Sequence, residues 1–451
     1  MPAFRDVRDP VHGFIRLLGR ECEVVDTPVF QRLRRIRQLA MAHLVYPGAV
    51  HSRLEHSLGV AHVAGRLCER LDIDGEATRI IRLAALLHDI GHGPFSHPSE
   101  EVLSELAPME VRAGQGETHK IHELITREII RSDPDLRALV SDRDREDIIN
   151  LLDKGWGEPL HKDVVSGPVD ADKQDYLLRD SHHCGVRYGI YDISRLHDVL
   201  CRVSDEPGDY LAIEEDGVHT LEQFVLARYY LTTQVISHKG RRISDAMLVR
   251  GLTLGVRGDG TGFLRDLYAF QPGPAFAEEY VRWNDERLVS RLLEPELEKT
   301  WAGRFMRRLA DRKLLKVVFN RRVTAFPELV LDAERSREVA PDIEAEVADI
   351  LGVHRNEVIF RVHRSPPTRK SEGKVLISGR NNRLEPFESR SLIFSSIDQS
   401  LRDEYLECFA PLDGRNEQDK RRVLSDVEAA IERRLRELAG QNDASGENHG
   451  T

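Results

Sequence analysis

Apolar residues recur at helical spacing through most of the first 320 positions, and in short alternating stretches beyond them. The run PVFQRLRRIRQLAM (28–41) carries one apolar face, with Thr27 placed to cap it and Pro28 in its first turn, and predicts a helix. The same periodicity predicts helices over 54–71, 76–89, 121–132, 143–154, 170–183 and 220–253. Around 209–219 the pattern predicts a hairpin turning at Asp216-Gly217. EVIFRV (357–362) and KVLIS (374–378) read as strands, whereas SLRDEYLECF (400–409) reads as a helix. The expectation is therefore a mainly α chain with a helical domain over 1–320 and a smaller α+β C-terminal lobe over 321–412. The remainder, 413–451, holds a charged amphipathic helix (417–439) and a last dozen residues expected to be disordered. The basic loop HRSPPTRKSEGK (363–374) is expected to be mobile, and no internal repeat is seen.

Composition narrows the class. At 451 residues the chain can bury a large core, and no stretch reaches the roughly 18 apolar residues of a membrane span. The first residues lack a basic segment followed by an apolar one, and the five cysteines are scattered without a CxxC pair. Both features lead us to expect a cytoplasmic protein with reduced thiols, without disulfides or a thiolate zinc site. A net charge of -11 argues against broad nucleic-acid binding. It leaves room for an anionic small molecule, because a phosphate pocket needs only a few placed cations.

The chemistry concentrates in Leu87-His88-Asp89-Ile90-Gly91-His92-Gly93-Pro94-Phe95-Ser96-His97, where an adjacent His-Asp pair closes an apolar helical run. Such a pair can converge on one ion above the helix end, but it needs further ligands. Two other segments can supply them: Arg53-Leu54-Glu55-His56 and Asp170-Ala171-Asp172-Lys173. The order His56, His88-Asp89, Asp172 resembles the metal signature of the HD-domain phosphohydrolases. The texts QLAMAHLVYPGAVHSRLEHSLGV, HDIGHGPFSH and VDADKQDYLLRDSHH look like the deoxynucleoside-triphosphate triphosphohydrolase branch, matched from about Asp9 to Lys239. With the match beginning so near the first residue, no sterile-alpha-motif domain is expected before it. The resemblance implies a helical HD-domain core and a divalent metal ion on His56, His88, Asp89 and Asp172. Two imidazoles and two carboxylates suit Mn²⁺, Fe²⁺ or Mg²⁺, and Zn²⁺ also meets the ligand types.

The same resemblance implies attack of an activated water on the α-phosphorus of a dNTP, releasing deoxynucleoside and intact triphosphate. His97 and Glu100 sit three apart and would share a helical face, with Glu100 holding the imidazole that transfers a proton. Their positions match the family's His and acid dyad. Arg53, His92, His122 and Lys173 match phosphate contacts, although the loop before His122 (about 108–120) aligns loosely. Asp180 matches a group at the sugar 3′-hydroxyl, and Gln38 and Leu39 match residues beside the sugar. Tyr176 shares a helical stripe with Lys173 and Asp180, and Arg228 matches an arginine lining the pocket. Thr232 and Ile236 stand where the branch's human member has His and Tyr. Read without the resemblance, Arg53 and Lys173 are solvated helix charges, and Tyr176 is half-core.

Asp26, Gln31 and Arg34 match residues that recognise a guanine at an activator site between subunits in the branch's human member. Arg5 and Arg8 stand for a Lys and an Asn there, and His238 and Lys239 are retained. The plainer reading has Asp26 complementing a helix start, with Gln31 and Arg34 solvated. The resemblance thus implies a homo-oligomer, tetramer or dimer, adjusted by dGTP or GTP. Two rival functions remain at this level: a phosphodiesterase or nucleotidase on the same metal site, and a regulatory module with a vestigial one.

Overall fold

The computed structural model describes residues 4–107, 120–153, 155–205, 208–258, 261–326, 333–364, 375–379, 383–394 and 404–446. Residues 365–374 of the loop expected at 363–374, most of the loop before His122 and residues 447–451 lie outside them; His363 and Arg364 end a strand instead. Within them no helix is long and apolar enough to cross a membrane.

The chain opens on a hairpin of β1 (Phe4–Asp9) and β2 (Gly13–Leu18), then builds a mainly helical body. The helices that carry the site are α1 (Arg53–Arg70), α2 (Gly75–Leu87), α3 (His97–Leu106), α4 (Ile121–Ser132), α5 (Ala171–Cys184), α6 (Val218–Leu231), α7 (Lys239–Arg257) and α8 (Asp285–Leu292). Their starts are set locally. Glu55 accepts from Ser52 N (2.6 Å) and Asp74 caps α2 through Glu76 N and Ala77 N (2.9 Å each). Asp170 caps α5 through Lys173 N (2.8 Å), and Gly185 ends it at φ 69°. One apolar core runs through this body from Ile15 to Phe409.

The helix expected over 28–41 is replaced by a short helix at Pro28–Gln31 and tight turns at Arg32–Arg35 and Ala40–Leu44. Its charged positions do not all face water. The buried Arg32 guanidinium donates to the carbonyls of Ile90, His92 and Trp283, and Arg37 bridges to Ser52. Bending there brings Gln38 and Leu39 to the pocket. The expected helix over 220–253 is broken by a wide turn at Thr232–Ile236, and α7 restarts with His238 capping Gly240 N (3.1 Å). The hairpin near 209–219 pairs β3 (Leu200–Asp205) with β4 (Gly208–Glu214), so it turns before Gly208, while Asp216-Gly217 leads into α6.

Strand β5 (Lys316–Arg322), helix α9 (Ala333–Leu351), β6 (Ile359–Arg364) and helix α10 (Glu417–Gly446) build the C-terminal lobe. Between β6 and α10 come β7 (Leu376–Ser378), β8 (Leu384–Pro386) and β9 (Glu404–Ala410). The helix expected at 400–409 is therefore a strand, central in the order β5-β9-β6 and antiparallel to both neighbours. Both faces of β9 are covered, which hid its alternation: Leu406, Cys408 and Ala410 enter a second core with α9 and α10, while Phe409 joins the first. The last helix runs on to Gly446, into the dozen residues expected to be disordered. Chain order does not separate body from lobe cleanly, because β7 pairs parallel with β4 and Phe387 packs in the first core.

Candidate active site

His56 and Arg53 lie one turn apart at the start of α1, both buried. The His56 Nδ1 donates to Asp175 Oδ2 (2.8 Å), which leaves Nε2 facing the pocket. His88, at the end of α2, donates Nδ1 to Ala85 O (2.7 Å) and likewise presents Nε2. Both Nε2 atoms are buried without an aligned hydrogen-bond partner. They meet carboxylate oxygens instead. Asp172 Oδ1 is 3.0 Å from His56 Nε2 and 4.0 Å from His88 Nε2, and Asp89 lies 3.7 and 3.2 Å from the same two atoms. Ligand atoms of His56, His88 and Asp172 all lie within 4.8 Å of one another.

This donor set fits a divalent cation. Burial opposes charge on His56, but the oxygens of Asp172 and Asp175 outweigh it and hold its pKa up to about 10, so the space between them favours positive charge. Burial raises Asp89, yet Arg53, His88 and His92 keep it well below the usual carboxylate range. Asp172, its side chain 37% exposed toward the cavity, is lowered too: contacts with His56, His88 and Lys173 exceed its desolvation. Arg53 completes the arrangement by donating to Asp89 Oδ2 and, through Nε, to Ser96 Oγ (2.7 Å).

Behind His56 stands Asp175, a fully buried carboxylate that sequence reasoning left without a role. It also takes His12 Nε2 (2.7 Å) and two nitrogens of the buried Arg179 (2.9 Å each). Gly59 on α1 admits this group, since a Cβ there would overlap Asp175 Oδ1 and Arg179 Nη2. Desolvation would raise Asp175, but Arg179, His12 and His56 hold it well below the ordinary range. The signal was present in the sequence: Asp172, Asp175 and Arg179 recur at helical spacing on α5.

The contact expected between His97 and Glu100 is replaced by another. Glu100 does not hold His97; it accepts from His122 Nδ1 (2.9 Å), Ile121 N (2.6 Å) and His122 N (3.0 Å). At the first turn of α3 its carboxylate reaches across to the start of α4, whose unpaired amides attract it more than its own helix neighbour. His122 stacks on His92 (3.9 Å between rings), and His92 Nε2 lies 3.3 Å from Asp89 Oδ1. His97 packs edge-on against His92. Burial first, and Arg53 next, push His92 and His97 well below the usual imidazole range, so both are neutral at pH 7.

These groups line a cavity of about 800 Å³, with Gln38, Leu39, Lys173, Tyr176, Asp180 and Arg228 among its walls. Lys173 is tied to Asp170 (2.5 Å) and Gly167 O (2.9 Å), and Asp180 accepts from His51 Nε2 (2.8 Å). Burial, with nearby carboxylates, lifts the Tyr176 phenol to about 12 against the pull of Arg228. Sequence reasoning missed Lys120 and Arg127 on this wall, and also Arg361 and His363, which β6 contributes from the lobe.

The proposed activator residues form no open receptor in this single chain. Asp26, expected to be free for a guanine edge, is paired with Arg5 through two bonds (2.8 and 2.7 Å). Gln31 donates to Val25 O (2.8 Å) and accepts from Arg34 (3.1 Å), and His238 caps α7. In the isolated chain Arg5 and Arg34 therefore occupy the side-chain acceptors of Asp26 and Gln31.

Two family profiles match the chain: the HD domain over 53–171 and an HD associated region over 192–406. The uncharacterized protein YwfO of Bacillus subtilis is 30% identical over 341 residues, 71% of this chain and 74% of that protein. The deoxynucleoside triphosphate triphosphohydrolase SAMHD1 of Homo sapiens is 30% identical over 346 residues, 69% of this chain and 54% of that enzyme. Among solved structures, a hypothetical protein from Aquifex aeolicus superposes with a TM-score of 0.68 at 25% identity, covering 95% of this chain and all of that one.

Proposed function

This chain belongs to the HD-domain family of metal-dependent phosphohydrolases, and on that premise we propose that it hydrolyses deoxynucleoside triphosphates to deoxynucleoside and inorganic triphosphate. The observation that carries the reading is the convergence of two buried, unbonded imidazole nitrogens with two carboxylates on the wall of a cation-lined cavity. A divalent cation held by His56, His88, Asp89 and Asp172 would supply the Lewis-acid charge that activates water and offsets phosphate charge. The residues do the rest. Arg53, Lys173, Lys120, Arg127 and Arg228 give the walls the positive charge a triphosphate requires. Lys173 would exchange its contact with Asp170 for a phosphate oxygen. Asp180, anchored by His51, is an acceptor for a sugar hydroxyl, and Gln38 and Leu39 bound the sugar. The neutral His92 and His97 are able to accept a proton from the attacking water, and His122, oriented by Glu100, is the group able to pass one to the leaving 5′-oxygen.

Support for the substrate class comes from the similarity to the human dNTP triphosphohydrolase, which spans about half of that enzyme. The test is incubation with each of the four dNTPs and Mn²⁺, resolving the products. Triphosphate is expected; pyrophosphate or monophosphate would move the assignment to a phosphodiesterase or nucleotidase. We further propose that the protein forms a homo-oligomer, tetramer or dimer, and that a guanine nucleotide, dGTP or GTP, bridges protomers by drawing Arg5 off Asp26 and engaging Gln31, Arg34, His238 and Lys239. Size-exclusion with and without dGTP tests this, and unchanged mass with unchanged rate removes it.

A further inference from the structure

The loop that leaves the metal centre follows a strained path. Phe95 and Ser96 have φ of 63° and 55°, a left-handed conformation disfavoured by their Cβ atoms, and both are buried. Something must hold them there. Asp285, the first residue of α8 and only 4% exposed, accepts Phe95 N at 2.7 Å on one oxygen and Arg37 N at 3.0 Å on the other. Ser96 Oγ then donates to Arg37 O (3.0 Å) and accepts from Arg53 Nε (2.7 Å). Arg53 in turn donates to Asp89. Hydrogen bonds joined through the backbone of Arg37 and of Phe95–Ser96 thus connect α8 to Asp89.

We propose that Asp285 is a positioning residue: its carboxylate fixes the Phe95–Ser96 turn and, through the Ser96 hydroxyl, sets the Arg53 guanidinium against Asp89. The inference rests on reading His56, His88, Asp89 and Asp172 as metal ligands. Only a carboxylate offers two acceptors and no donor, so only Asp satisfies both amides. An asparagine would turn its NH₂ toward one of them. Burial raises the Asp285 carboxyl to about 6, opposed by the Phe95 and Arg37 amides, and Asp285 itself does not line the cavity.

The full chain is made as Asp285→Asn, Ser96→Ala and the double variant. Mn²⁺ affinity is titrated without nucleotide, and amide exchange at Phe95 and Arg37 is followed in the metal-free protein. Kinetics follow with dNTP. Each single variant is expected to weaken Mn²⁺ binding about 10-fold or more, the scale of losing a group that orients a ligand. The double variant should be no weaker than the worse single one, because both changes cut the same link. Asp285→Asn should also expose the two amides and lower kcat with KM within about twofold. Wild-type Mn²⁺ affinity in Asp285→Asn, or effects that multiply in the double variant, would overturn the proposal. Should Asp285→Asn not fold, Ser96→Ala decides alone, and unchanged Mn²⁺ affinity there refutes it. Since Mn²⁺ binding needs no substrate, an incorrect substrate assignment shows separately as wild-type protein that binds metal and releases no triphosphate.

Discussion

Replacing Asp175 by Asn tests the architecture behind the metal centre. The carboxylate is fully buried and compensates Arg179, itself fully buried, while fixing the tautomer of His56. Two losses follow. Removing the charge leaves Arg179 with Asp9 alone (2.8 Å), and breaking a buried pair of this kind costs about 3–5 kcal/mol. Asparagine retains one acceptor and Asp9 remains, so the lower end applies, about 3 kcal/mol. Separately, a His ligand that loses its orienting carboxylate binds metal about 10–100-fold more weakly, or roughly 1.4–2.8 kcal/mol. The pH dependence has a definite sign. Asp175 titrates below its unfolded value, so its contribution is complete above about pH 4 and fades as acid protonates it. The assay is urea unfolding of metal-free wild type and variant at pH 7.5 and pH 3, with Mn²⁺ titration under folded conditions. A stability gap that narrows in acid, together with weakened Mn²⁺ binding, is expected. Mn²⁺ affinity within twofold of wild type would refute the argument that Asp175 sets His56.

Glu100→Gln should lower triphosphate release about 100-fold, the scale of a lost proton-transfer group. It should be non-additive with His122→Ala and multiplicative with His97→Ala, whereas the reverse pattern would restore a His97–Glu100 pair. Gly59→Ala pushes a methyl into Asp175 and Arg179 and should cost about 1–3 kcal/mol in urea unfolding, with weaker Mn²⁺ binding. Asp245, which burial raises from 3.8 to about 6, costs stability when ionised. Its folded pKa exceeds the unfolded one, so wild type loses stability as pH rises from about 4 to 6. Asp245→Asn should therefore gain relative to wild type by up to about 3 kcal/mol between pH 4 and pH 8, and a pH-independent difference would contradict this.

The residues proposed to hold a metal stood out because two imidazoles and two carboxylates stand in distinctive local text on helices whose caps can be read directly. Their supports were less legible. Asp175 sits at helical spacing between Asp172 and Arg179, but nothing in α5 says that its oxygens turn toward α1. The partner of Glu100 depended on how α3 meets α4, a tertiary relation that spacing along one helix does not contain. Segment 404–410 misled because both faces of the strand are covered, leaving no polar alternation to mark it. The bend after Gln31 follows from where buried Arg32 finds its partners, which are remote in sequence, whereas the break at 232–238 closes on a local cap, His238 on Gly240 N. Arg361 and His363 reach the cavity only because β6 lies against α7.

Strand β9 belongs to two interiors at once, and that has a consequence for the order of assembly. A ribosome releases it only after about nine-tenths of the chain has emerged, yet Phe409 fills the older interior and Glu407 answers Arg242 on α7 (2.8 Å). Until β7 emerges, β4 waits with an unmatched margin, an invitation to pair with another nascent copy. Cutting the gene near codon 320 would not liberate an autonomous catalytic half; it would make that vulnerable intermediate permanent.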